Sequence, residues 1–143
     1  MIVLDTTVLV YAVGAEHPLR EPSRKLIDAI AAGRVDATTT VEVIQEFVHI
    51  RARRQGRVDA AKAGRNFTEL LTPLLVVQEA TVEAGLRIFE RSTLLGAFDS
   101  FLAATAIASD ADALVSADRA FSSVSRLAHI LPGTAEFDRL LAA

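Results

Sequence analysis

The chain has 143 residues, no Cys and a formal net charge of −3. That length fits one domain with a core large enough to need no disulfide, and the missing thiols exclude thiolate metal sites. The acidic balance argues against general coating of DNA, and the three His (His17, His49, His129) are too scattered for a His-rich zinc site.

Ile2, Val3 and Leu4 form a short, mostly β-branched apolar run that predicts a buried strand, and Asp5 ends it. Thr6 to Val13 then begins a helix, so Asp5 lies at a strand-to-helix junction. A loop over Ala15–Glu21 leads to a helix from Pro22 to about Ala32, stopped by Gly33. Val35–Thr39 reads as a strand, and Thr40 as the cap of a long helix, Val41–Gln55, ended by Gly56. A further helix is expected over Val58–Leu71, with Pro73 closing it, then a strand over Leu74–Val77. Thr81 is expected to cap a helix reaching Arg91. Leu94 to Gly96 connects to an Ala-rich helix, Phe98–Ser109. Ala113–Ser116 reads as a strand ended by Asp118, with a short helical turn over Asp118–Ser122. Ala128–Leu131 is a last strand and Glu136–Leu141 a terminal helix. Strands alternating with helices, each strand a short unalternated apolar run, predict an α/β domain over 1–143 with a parallel sheet covered on both faces.

Four carboxylates fall where such a sheet could gather them: Asp5, Glu46, Asp99 and Asp118. Each has a plainer explanation. Asp5 and Asp118 could be caps, Asp99 could complement a helix dipole, and Glu46 could face solvent. As a set they are unusual, because Asp5, Asp99 and Asp118 neighbour strongly apolar residues. Carboxylates about 6 Å apart repel by roughly 3 kcal/mol per pair at an effective dielectric of 20. Four together would cost a large part of a domain's stability unless protons or cations relieved them. Oxygen ligands alone select Mg²⁺ or Mn²⁺, and no phosphate-binding Gly-rich loop is present, which suggests metal-assisted phosphodiester hydrolysis.

The stretches Ile2–Leu9, Thr40–Phe47, Phe98–Ala106 and Leu114–Phe121 resemble, in order, the four motifs of PIN-domain nucleases. In length and in lacking extra domains the chain is similar to the VapC toxins of VapBC toxin–antitoxin modules. The resemblance implies a three-layer α/β/α fold with a five-stranded parallel sheet in the order 3-2-1-4-5. It also implies Mg²⁺- or Mn²⁺-dependent cleavage of RNA by water. By position, Asp5, Asp99 and Asp118 would be metal ligands, with Glu46 acting directly or through water, and Thr7 and Ser116 would lend hydroxyl support. Glu42 lies one helical turn before Glu46 on the same face, so either could point into the pocket. The implied partners are an RNA substrate, a cognate antitoxin and a second copy in a homodimer.

Between His49 and Arg65 stand Arg51, Arg53, Arg54, Arg57, Lys62 and Arg65 against the single acid Asp59. These could be a solvated helix end. Alternatively, Arg53 and Arg57 bind RNA phosphates, since Arg53 lies about 10 Å along the helix from Glu46 and about 20° around it. Hydrophobic residues make up 51% of the chain, above the usual range, so another chain is expected to cover part of the surface. No uncharged apolar run is long enough for a membrane helix and no basic leader precedes the first strand, so the cytoplasm is the expected compartment. Competing readings are a PIN-type RNA-processing nuclease that is not a toxin, a non-catalytic PIN-like binding module, and a dehalogenase-like phosphatase. The last would want Asp at position 7, where Thr7 stands.

Overall fold

Ile2, Val3 and Leu4 form the central strand, β1 (Ile2–Leu4), and all three are buried. The computed structural model describes residues 1–143 and pairs β1 on both edges, which explains why no residue of the strand is polar. β2 (Ala37–Thr38) lies on one side and β3 (Ala113–Val115) on the other, followed by β4 (His129–Ile130). The order is β2-β1-β3-β4, all parallel, with Ile2 opposite Ala37 and Ala113. Helices cover both faces. They are α1 (Thr6–Val13), α2 (Arg20–Ala31), α3 (Val41–Gln55), α4 (Arg57–Leu71), α5 (Val82–Arg91), α6 (Ala97–Ala108) and α7 (Ala135–Ala142).

The strand expected over Leu74–Val77 is reduced to one parallel bridge, Thr40 with Leu75, in which the Leu75 N–H donates to Thr39 O at 2.9 Å. It holds the expected place outside β2, so the order 3-2-1-4-5 stands with this bridge as its edge member. Pairing stops there because Pro73 has no N–H to give and Val76 is turned out, 65% exposed. Two helix starts also differ from expectation. α2 begins before Pro22, which sits in the first turn, where an N–H would have no partner anyway. Thr81 does not cap α5 with its side chain. It ends a 3₁₀ turn, Glu79–Thr81, and its hydroxyl donates to Gln78 O at 2.7 Å.

Thr40 does cap α3, accepting from the Val43 N–H at 3.3 Å. Gly56, at φ +87°, turns the chain from α3 into α4 in a conformation other residues rarely adopt. The two helices then pack tightly, with the Phe47 and Phe67 rings edge to face at 5.0 Å. Gly64 permits this approach, because a Cβ there would meet Val48 Cγ2 at 2.6 Å. Gly64→Ala is therefore expected to destabilise the domain by about 1–3 kcal/mol through overpacking. Gly96→Ala, with open space around it, should not. Equal melting temperatures for the two variants would mean that Val48 simply moves aside.

Candidate active site

Asp5 follows β1 and Ser116 follows β3, adjacent strands from which the chain departs in opposite directions across the sheet. Such a divergence leaves a crevice at the carboxyl edge, where α/β folds bind ligands. Asp5 is only 3% exposed. It caps α1, and its Oδ2 accepts from the Thr7 N–H at 3.3 Å, the Thr7 hydroxyl at 2.8 Å and the Ser116 hydroxyl at 2.7 Å. The same hydroxyls fasten the turn after β3. Thr7 Oγ1 accepts from the Ala117 N–H and Ser116 Oγ from the Asp118 N–H, each at 2.9 Å. Asp118 in turn caps the 3₁₀ turn Arg119–Ser123 by accepting from the Ala120 N–H at 2.9 Å. Thus Asp5 and Asp118 are both caps and members of one polar network. Thr7 and Ser116 are its joints.

Glu46 reaches this network from α3. Its Oε2 accepts from the Thr6 hydroxyl at 2.7 Å. Sequence reasoning passed over Thr6. The signal was the doubled hydroxyl after Asp5, in which Thr7 serves the acid behind it and Thr6 serves the helix opposite. Glu42 and Glu46 both line a cavity of about 600 Å³ between α3 and α6, together with Gln45, His49, Phe98 and Asp99. Only Glu46 is tied to α1, and only Glu46 of the two is felt electrostatically by Asp99.

Asp99 stands in the first turn of α6 and is half-buried. Its carboxyl is pushed up to about 7, first by burial and then by the charges of Asp5, Glu46 and Asp118. The four acids singled out in the sequence are therefore brought together. Arg53 and Arg57 are not part of this cluster. They are exposed, at the end of α3 and the start of α4, and take part in no ion pair. Arg51, from the same basic segment, has a structural use. It bonds Asp59 at 2.6 Å and Val13 O at 2.9 Å, joining α3 to the start of α4 and the end of α1.

The donor set suits a hard cation, since it contains only carboxylate and hydroxyl oxygens. The Asp99 carboxyl is raised first by burial and then by its acidic neighbours, and a cation would relieve the second of these. No three acids or histidines converge closely enough to form a finished ligand cage. Asp5, Glu46 and Asp118 act on Asp99 through their charges without forming a preformed coordination sphere.

A parallel α/β sheet carrying acids at its switch point defines a class that comparison makes specific. The chain belongs to the PIN-domain family, whose domain matches residues 2–127. Its place among the VapC members follows from 54% identity over 145 aligned residues to Ribonuclease VapC7 of Mycobacterium tuberculosis, covering 99% of this chain and 98% of the relative. Two solved structures share the fold. A VapBC2 complex from Rickettsia felis bound to a promoter DNA fragment matches with a TM-score of 0.72 and 20% identity over 92% of this chain and 99% of that one. VapC20 of M. tuberculosis, described as a sarcin–ricin loop cleaving toxin, matches with a TM-score of 0.67 and 16% identity over 89% and 98%.

Proposed function

We propose that the chain is a metal-dependent endoribonuclease and the toxin of a toxin–antitoxin module. The observation that carries this is the half-buried Asp99 carboxyl, raised by burial and by the charges of Asp5, Glu46 and Asp118, in a chain 54% identical to a protein named a ribonuclease. Asp5, Asp99 and Asp118 would hold Mg²⁺ or Mn²⁺, with Glu46 bound directly or through water. The ion would neutralise the acids and supply Lewis acidity to a phosphodiester and its attacking water. The chain's own residues prepare this. Thr7 and Ser116 fix the Asp5 carboxylate, Thr6 fixes Glu46, and the Asp118 cap fixes the turn beside them. Arg53 and Arg57 would neutralise flanking phosphates.

An antitoxin partner is favoured by the VapBC complex among the structural relatives. Self-association is favoured by the apolar surface at the cavity mouth. Phe98 is 85% exposed there, and Val41 and Val76, also exposed, adjoin the lining residues Thr40 and Val77. No helix is long and apolar enough to cross a membrane, and the cytoplasm, where RNA is met, is the inferred compartment.

The discriminating test is a pair of variants. Glu46→Gln should lower RNA cleavage by about 10²-fold or more, as loss of an electrostatic group in an active site does. Glu42→Gln should leave cleavage within a few-fold of wild type. The opposite ranking would transfer the role to Glu42 and discard the assignment based on the Thr6 contact.

A further inference from the structure

α5, the second half of α6 and the segment after the Arg119–Ser123 turn enclose another cavity, of about 500 Å³. On α6 its lining residues are Ala104, Ile107 and Ala108, whereas the acidic cavity is lined from Ala97 to Leu102, so it lies farther along the helix and around it from Asp99. Arg87, Arg91 and Arg126 line it with the hydroxyls of Ser92, Ser123 and Ser125, and no carboxylate does. Arg87 is held by Glu83 at 3.0 Å, while Arg91 and Arg126 enter no ion pair. Arg126 has φ +68°, in the left-handed region that a bulky residue rarely occupies. Such a backbone persists only where its surroundings hold it, and it commonly marks a functional position. In an acidic chain, exposed and unpaired arginines from two distant segments meet here beside hydroxyls and apolar side chains, a combination whose polar part suits an anion.

The cavity also stands at a useful distance. From Asp99 to Ala104 α6 rises about 7.5 Å, and from Asp118 to Ser123 the 3₁₀ turn rises about 10 Å. Ser92 and Ser123, hydroxyls 3.4 Å apart, bring the α5–α6 connector against that turn. A separation of that order is short on the scale of an RNA strand, so one strand crossing the acids can also reach the cavity.

We propose that this cavity binds a backbone phosphate of the RNA strand through Arg91 and Arg126, a few nucleotides from the bond to be cut. The proposal rests on the ribonuclease reading above. It makes the basic segment near Arg53 only one of two anchors, so that the strand is held on both sides of the acids.

The test is binding of a short oligouridylate by the full chain in EDTA, where it is not cut, across a range of KCl concentrations. Arg91→Gln with Arg126→Gln should weaken binding about tenfold at low salt and reduce the slope of log affinity against log salt by about 0.7, the value for one lost phosphate contact on a single strand. Arg91→Lys with Arg126→Lys, which keeps the charges, should restore most of the slope. A uridine dinucleotide, too short to reach the cavity, should bind both Gln and wild-type proteins alike. An unchanged slope in a Gln variant that melts like wild type overturns the proposal, even if wild type binds and cleaves RNA. So does a variant that keeps RNA binding and instead loses a protein partner. Failure of the ribonuclease reading is a different result, in which wild type with Mg²⁺ or Mn²⁺ cleaves no RNA at all.

Discussion

Asp99→Asn is expected to melt higher than wild type in EDTA at pH 8 and to cleave no detectable RNA. The substitution keeps the shape of the side chain and removes the one charge that burial and three acidic neighbours all oppose. Raising a carboxyl from its ordinary value of 3.8 to about 7 corresponds to at most about 4 kcal/mol at high pH, less what solvent screening removes at its exposed edge. Even half of that would lift the melting temperature by about 5 °C in a domain of this size. The pH dependence gives the sign. Below pH 4 Asp99 is protonated in both folded and unfolded chains, and nothing is lost. Between pH 4 and 7 the unfolded chain releases a proton that the native chain retains, so wild-type stability falls as pH rises. Above pH 7 both forms are ionised and the penalty is constant. The melting gap between variant and wild type should therefore widen from pH 5 to pH 8 in EDTA. A gap that stays level would trace the effect to packing rather than charge.

What could be read from the sequence divides along physical lines. β1 and the Asp5 junction were legible because a buried parallel strand is apolar on both faces and must end at its first charge. α3 was legible because Thr40 and Gly56 mark its two ends with side-chain and backbone chemistry that act locally. The Leu74–Val77 run read as a full strand because apolar content reports burial and not hydrogen-bond supply. At a sheet edge beside Pro73, supply decides. The acidic set was legible as a pattern but not as a hierarchy. Nothing local says that Asp5 and Asp118 are held by hydroxyls and amides while Asp99 is pressed by burial and charge. The Thr6 contact joins residues far apart in sequence. Arg87, Arg91 and Arg126 belong to separate segments, each unremarkable alone, and only the fold makes them one cavity. Conversely, the sequence counted Arg51 with the free cations, whereas Asp59 and Val13 already occupy it.

Asp5→Asn should abolish cleavage as Asp99→Asn does, yet shift the EDTA melting temperature far less, and the contrast follows from where each charge is held. Removing the Asp5 charge relieves Asp99. It also replaces a charged acceptor for Thr7 and Ser116 with a neutral one. Hydrogen bonds to charged groups contribute about 1.5–3 kcal/mol, and neutral ones about 0.5–1.5. The loss on the donor side therefore offsets the gain on the acidic side, because Asn can still turn its carbonyl toward the hydroxyls. Metal binding separates the variants from wild type in the other direction. At a hundredfold excess over its Kd, Mg²⁺ or Mn²⁺ should stabilise wild type by about 2.7 kcal/mol. Both variants, each lacking a proposed ligand, should gain clearly less. The wild-type gain should itself shrink below pH 7, where the cation competes with the proton on Asp99. Melting curves with EDTA and with each metal at pH 6 and pH 8 decide this. If Asp5→Asn melts several degrees below wild type in EDTA and gains as much from metal, then Asp5 serves as the cap of α1 and the cation is held elsewhere.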